Sequence, residues 1–92
     1  MISFDSTARF RACLKRENLD RQAVFAAMQL TARAWGQPHL HSGRGIRRLS
    51  AGLYECRMER ETRLLFFAES TGLVFDFAGN HDQVRSYLKN RR

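Results

Sequence analysis

"LYECRMERETRLLFFAESTGLVFDFAG", residues Leu53–Gly79, is the stretch that decides the fold. It opens with strict alternation. Tyr54, Cys56 and Met58 fall on one side and Glu55, Arg57 and Glu59 on the other, the period of a strand with one buried face. "TRLLFFA" is apolar almost throughout, as a central strand is. "ESTG" reads as a turn, and "LVFDFA" alternates again, with Leu73, Phe75 and Phe77 against Asp76. Connections this short join antiparallel neighbours, so the stretch predicts a meander.

The register follows from which pairing gives a complete apolar face. If "ESTG" is a four-residue hairpin loop, Ala68 pairs with Leu73; if the earlier hairpin turns about Arg60, Arg57 pairs with Arg63. One face then collects Tyr54, Cys56, Met58, Leu64, Phe66, Leu73, Phe75 and Phe77. The other collects Glu55, Arg57, Arg63, Leu65, Phe67, Val74 and Asp76, apolar at one end and charged at the other. A slip of one residue would mix charged and large apolar side chains on both faces. This register sets two guanidinium groups directly across from each other, an arrangement that destabilises a sheet by some tenths of a kcal/mol unless something neutralises it. Glu55, Glu59 and Asp76 are the carboxylates in reach, Glu55 being expected to pair with Arg57. Without them, the two arginines form a seat for an anion.

Working outward, the face needs a cover, and the first third of the chain supplies one. Asp5 or Ser6 can cap a first helix with Phe10, Cys13 and Leu14 on one side. "ENLD" breaks it, and Asp20 can cap a second helix to about Trp35, with Val24, Met28, Thr31 and Trp35 on one face. "GQPHLHSGRG", residues 36–45, reads as a loop and "IRRLS" as a first short strand. Beyond the meander, Asn80 and Gln83 make a capping box for a short C-terminal helix whose first residue is His81. Val84, Tyr87 and Leu88 form its apolar stripe, expected to lie over Leu65 and Phe67. The expected fold is α+β: a helical hairpin on a four-stranded, mainly antiparallel sheet, closed by a short helix, in one domain over residues 1–92.

Fourteen arginines and two lysines face nine carboxylates, a net charge of +7. Arginine forks bind phosphate bidentately, so this balance points to a polyanion or an acidic protein as partner. No run is long and apolar enough for a membrane span, and "MISFDSTARFR" lacks the build of a signal peptide. Cys13 and Cys56 sit within apolar patterns and read as reduced core residues of a cytoplasmic protein. His39 and His41 lack the further ligands of a metal site, and "SGRGIRR" lacks the Lys-Ser/Thr of a phosphate-binding loop.

The stretch "IRRLSAGLYECRMERETRLLFFAESTGLVFDFAGNHDQVRSYL" resembles the RelE/ParE superfamily of bacterial toxin–antitoxin toxins, and its Arg57-to-Arg63 spacing is nearest to the YoeB-like branch. "GLYECR" carries Gly52, Tyr54 and Arg57, "TRLLFF" carries Arg63, and "GNHDQVRSY" carries His81 and Tyr87. The resemblance implies a ribosome-dependent endoribonuclease. In that chemistry the ribose 2′-hydroxyl attacks the adjacent phosphate, leaving a 2′,3′-cyclic phosphate and a 5′-hydroxyl, with no metal or cofactor. It implies Arg57 and Arg63 at the phosphate, His81 in proton transfer, and Tyr87 orienting or stacking near the scissile nucleotide. Apart from the resemblance, the Glu55 carboxylate is an alternative base. Arg44, Arg47, Arg48 and Arg60 are the expected contacts to RNA backbone. A lysine pair that serves some members has no counterpart, since Tyr54 and Cys56 fall near those positions. The implied partners are a cognate antitoxin, the ribosome and mRNA. Two other functions compete: a ParE-like toxin that poisons DNA gyrase without hydrolysis, and a basic domain that only binds RNA. Arg57, Arg63 and His81 favour the nuclease.

Overall fold

The computed structural model describes residues 2–59 and 61–91. Its elements run β1 (Phe4–Ser6), α1 (Ala8–Arg16), α2 (Arg21–Ala34), a 3-10 turn (Pro38–Leu40), α3 (His41–Arg44), β2 (Arg47–Ser50), β3 (Leu53–Arg57), β4 (Arg63–Glu69), β5 (Gly72–Gly79) and α4 (His81–Asn90). The fold class is α+β as expected, but the sheet has five strands and is mixed, in the order β1-β5-β4-β3-β2. The additional strand is β1, which runs parallel to β5 with Phe4 beside Leu73 and Ser6 beside Phe75. Because residues 4–6 are drawn into the sheet, α1 starts later than Asp5 or Ser6 would place it. Thr7 is its cap, its hydroxyl accepting from the Phe10 amide. Asp20 caps α2 as expected, accepting from the amides of Gln22 and Ala23. The segment over residues 36–45 is not all loop: it winds into the 3-10 turn and the single turn of α3.

The meander has the expected register. Arg57 pairs with Arg63, Leu53 with Phe67, and Ala68 with Leu73. The hairpin over 58–62 is closed by the Met58 amide on the Thr62 carbonyl at 3.0 Å. One departure lies in β5. Leu65 pairs with Phe77 and Phe66 with Phe75, so Asp76 is an extra residue, a bulge. The expected placement of Phe77 on the helix-covered face is therefore corrected. Past the bulge the side chains change sides, Ala78 enters the helical core, and Phe77 meets Tyr87 with ring centroids 4.8 Å apart. Asp76 consequently leaves the charged face. Its carboxylate accepts from the Thr7 hydroxyl and the Tyr87 hydroxyl at 2.8 and 2.7 Å.

Two cores result. Under α1 and α2, Phe10, Cys13, Val24 and Met28 pack on Cys56, Leu64, Phe66 and Phe75. The rings of Phe10, Phe75, Phe66 and Trp35 follow one another at 5.1–5.7 Å. The opposite face is closed by α4, whose Val84 and Tyr87 cover Leu53 and Leu65, flanked by Leu49, Phe67 and Leu88. Cys13 and Cys56 are both free and buried. Burial pushes the Cys56 thiol up to about 11, so it stays protonated near neutrality while it accepts from the Thr31 hydroxyl at 3.2 Å.

Candidate active site

The α4-covered face has a second, open end, and its rows can be read across the strands. Arg57 pairs with Arg63, and Arg63 with Gly79. On the other side β2 pairs Arg47 with Glu55, so Gly45, two residues before Arg47, approaches Arg57 from the far edge. The outermost row therefore reads Gly45, Arg57, Arg63, Gly79: two guanidinium side chains between two residues that have no side chain. The next row reads Arg47, Glu55, Leu65, Phe77.

Both flanking glycines are needed where they stand. Gly45 has φ +66°, and a Cβ there would lie 2.8 Å from Arg57 Nε. A Cβ on Gly79 would meet Gln83 Oε1 at 2.7 Å and the Phe77 ring at 3.2 Å. Any larger residue at Gly45 would thus push the Arg57 guanidinium aside, and at Gly79 it would disturb the capping box that starts α4.

Glu55 decides the electrostatics. It is 3 % exposed, and its Oε2 takes Arg63 Nη1 at 3.1 Å and Arg47 Nη2 at 3.3 Å. The expected pairing of Glu55 with Arg57 is corrected. Residues two apart on one strand are further from each other than a residue and its cross-strand partner, and Arg47 is that partner. Among the described residues Arg57 forms no salt bridge, and it is exposed. Arg63 is the more enclosed arginine, its side chain 25 % exposed, and its Nε is buried with no acceptor among the described residues. Such an unpaired buried donor costs about 1–3 kcal/mol and tends to be kept where a site uses it. Three guanidinium groups around one carboxylate leave this end of the sheet strongly positive.

His81 is the exposed first residue of α4, two residues after the Gly79 that pairs with Arg63. The capping box is present: Asn80 Oδ1 accepts from the Gln83 amide at 2.9 Å, and Gln83 Oε1 accepts from the Asn80 amide at 2.8 Å. At 3.6 residues per turn, His81 shares a flank of α4 with Arg85 and Leu88, and Leu88 packs against the cluster of Leu53, Leu65, Val84 and Tyr87. Tyr87 is on the other flank, turned toward α1. Its hydroxyl donates to Asp76, and burial together with that carboxylate pushes its pKa up to about 12.

The basic residues expected at RNA backbone are dispersed. Arg47 points to the Glu55 face. Arg48 pairs with Tyr54 and points to the opposite face, its Nε donating to the Ser50 carbonyl at 3.4 Å. Arg44 ends α3, with its Nε buried and without an acceptor among the described residues. Arg60 lies outside the described residues. Tyr54 and Cys56, near the positions of the lysine pair, point into the helix-covered core, Tyr54 against the Trp35 ring at 4.7 Å. His41 stacks on Trp35 at 5.7 Å, and among the described residues no three His, Cys, Asp or Glu side chains cluster as a metal ion would require. The contributions of Gly45 and Gly79 were absent from the sequence reading. The sequence register, with Ala68 opposite Leu73, sets Ala78 opposite Arg63; Gly79 takes that place only because the bulge at Asp76 shifts the pairing by one residue.

No family model matches the chain, and no curated protein matches it. Solved structures do. A copper-bound mutant toxin from Helicobacter pylori superposes with a TM-score of 0.72 at 13% identity, over 91% of this chain and 99% of that one. YafQ from E. coli strain BL21(DE3) superposes at 0.66 and 13%, over 91% and 98%. The YoeB–YefM complex from Staphylococcus aureus contains a chain that superposes at 0.59 and 13%, over 88% and 98%. At these identities the likeness is one of fold, and it spans nearly the whole of each chain.

Proposed function

We propose that the protein is the toxin of a toxin–antitoxin pair, a metal-independent endoribonuclease that cleaves mRNA on the ribosome. The observation that carries this reading is the row of Arg57 and Arg63 between two glycines, with His81 two residues along the chain from the Gly79 of that row. It is supported by the fold shared with YafQ and with the YoeB of a YoeB–YefM complex.

The geometry supports a role for each residue. A phosphodiester enters at the row between Gly45 and Gly79 and meets the Arg57 and Arg63 side chains. Arg57 takes a phosphate oxygen with its unpaired fork. Arg63, held by Glu55, presents fixed positive charge to the phosphorane as the ribose 2′-hydroxyl attacks the phosphorus. His81 moves the proton, between the 2′-hydroxyl and the departing 5′-oxygen, and the products are a 2′,3′-cyclic phosphate and a 5′-hydroxyl. Glu55 is taken up by two arginines, so its role is to hold Arg63 in place. Tyr87 acts at one remove. By tying α4 to Asp76 it fixes the helix that presents His81. Arg47 adds backbone affinity at the rim of the seat, Arg44 and Arg48 add it outside the seat, and Arg60, which lies outside the described residues, is proposed as a further contact to RNA backbone.

The deciding experiment is primer extension on cellular mRNA after induction, with purified protein on programmed ribosomes as its counterpart. Cleavage ends with 5′-hydroxyl termini, absent in the Arg57→Ala strain, are the expected result. Growth arrest with DNA damage signalling and intact mRNA would instead assign the protein to gyrase.

A further inference from the structure

Of the two histidines in "HLH", His39 is exposed and His41 is half-buried. The His41 ring lies along the face of Trp35, with centroids 5.7 Å apart and planes 17° apart. Trp35 ends α2 and is itself held edge-on by Tyr54 at 4.7 Å and by Phe66 at 5.6 Å, so it belongs to the helix-covered core. His41 Nε2 is buried with no hydrogen-bond partner among the described residues, so the ring acts there by stacking. The turn of α3 also closes on His41. Its carbonyl accepts from the Gly45 amide and, at 2.9 Å, from the Ile46 amide, the closure of a helix that ends on a left-handed residue. That residue, Gly45, stands against Arg57. A Cβ on it would lie 2.8 Å from Nε, 3.1 Å from Cβ and 3.3 Å from the amide nitrogen of Arg57.

We propose that His41 is a positioning residue for Arg57: by holding α3 on the Trp35 ring, it holds Gly45 against the Arg57 stem and so aims the guanidinium at the phosphate seat. The proposal rests on the nuclease reading above and adds to it a residue that touches no substrate. Arg57 needs such a wall. Among the described residues it forms no salt bridge, and its partner across the strands, Arg63, carries the same charge. Glu55 fixes Arg63, so Arg57 is the one that yields to the repulsion, and it is driven away from β4 toward the side where Gly45 stands. The wall in turn needs an anchor. The four residues of α3 are too few to hold a helical turn by themselves, and the stack of His41 on Trp35 ties that turn to the core.

The test reads cleavage and the Arg57 side chain separately. His41→Ala removes the stack. Its kcat on programmed ribosomes should fall by about tenfold to a hundredfold, with KM changed by less than about twofold. His41→Phe keeps a flat ring and should restore most of the parent rate. In an Arg57→Ala background, His41→Ala should cost less than about twofold more, because the group it positions is gone. A merely structural role would multiply the two losses. The ribosome-free readout is the Nε–H resonance of Arg57 in the NMR spectrum of the labelled protein, assigned by its loss in Arg57→Ala. It should shift or broaden in His41→Ala and return in His41→Phe. Where His41→Ala does not fold, His41→Leu, which keeps the volume without the flat ring, takes its place. A parent-like rate or an unmoved Arg57 resonance in the ring-less variant overturns the proposal. So does a His41→Phe protein that loses as much as that variant, and so does full multiplication of the losses in the double variant. A parent protein that cuts no mRNA, while its Arg57 resonance responds as stated, sinks the nuclease reading and leaves the positioning standing.

Discussion

Arg57 and Arg63 face each other across β3 and β4, and among the described residues only Arg63 is paired with a carboxylate, at 3.1 Å from Glu55. The two arginines of one row therefore have different duties. One is built into the fold; the other is available to a ligand.

This difference yields the first prediction. Arg57→Ala should lower single-turnover cleavage by about 10²–10³-fold, the scale for removing one aligned donor to a developing charge. Its thermal midpoint should stay near the parent value, because the side chain is exposed. Arg63→Ala should lose activity and stability together, since it leaves the buried Glu55 with the exposed Arg47 alone. Breaking a buried pair costs about 3–5 kcal/mol, and the surviving Arg47 contact puts the expected loss at the low end. Thermal melts that fall equally in both variants would erase the distinction.

His81→Gln keeps the helix start and the hydrogen-bonding shape but removes the titrating imidazole. Cleavage on programmed ribosomes should slow by about 10²–10⁴-fold, and the pH–rate profile should lose one limb. Ribosome binding, measured by pelleting, should be unchanged. A variant that keeps both limbs of the profile would leave His81 as only a helix-starting residue.

Gly45→Ala tests the open edge of the seat. The substitution meets a left-handed backbone and a contact of 2.8 Å with Arg57 Nε, and the backbone penalty alone is about 1–2 kcal/mol. The guanidinium must move, so cleavage should fall by more than that stability loss explains, and kcat should suffer more than KM. Ala51→Gly, in the neighbouring turn, serves as the backbone control and should leave the rate unchanged.

Tyr87→Phe removes the 2.7 Å hydrogen bond to Asp76. At neutral pH the loss should be about 1.5 kcal/mol, the scale for a hydrogen bond to a charged acceptor. The sign with pH follows from the raised phenol. Its folded pKa of about 12 lies above the ordinary value of 10.0, so its stabilisation is complete below pH 10 and fades as pH rises through 12. The stability gap between parent and variant should close across that window in urea melts. Cleavage should drop less than in His81→Gln, because Tyr87 only anchors α4. A rate loss as large as that of His81→Gln would place Tyr87 among the reacting groups.

The amino-acid sequence by itself determined the β3–β4 register with its Arg57–Arg63 pairing, the β4–β5 register from its hairpin as far as the bulge, the cap of α2 and the capping box at the start of α4. These are local properties. Hairpin loops of a few residues and alternation of period two leave one register in which the apolar face is whole, and a cap needs only neighbours three residues apart. What tertiary structure decided is non-local. The three residues of β1 are too short to show a period, and they become a strand only because β5 offers its edge some 69 positions along the chain. The bulge at Asp76 is held by the Thr7 and Tyr87 hydroxyls, and it turns Phe77 toward Tyr87, where its ring borders both cores. Glu55 could have neutralised any of several arginines. The choice of Arg47 and Arg63 over Arg57 was made by β2 docking on β3, which brings Arg47 opposite Glu55 and leaves Arg57 beside a glycine.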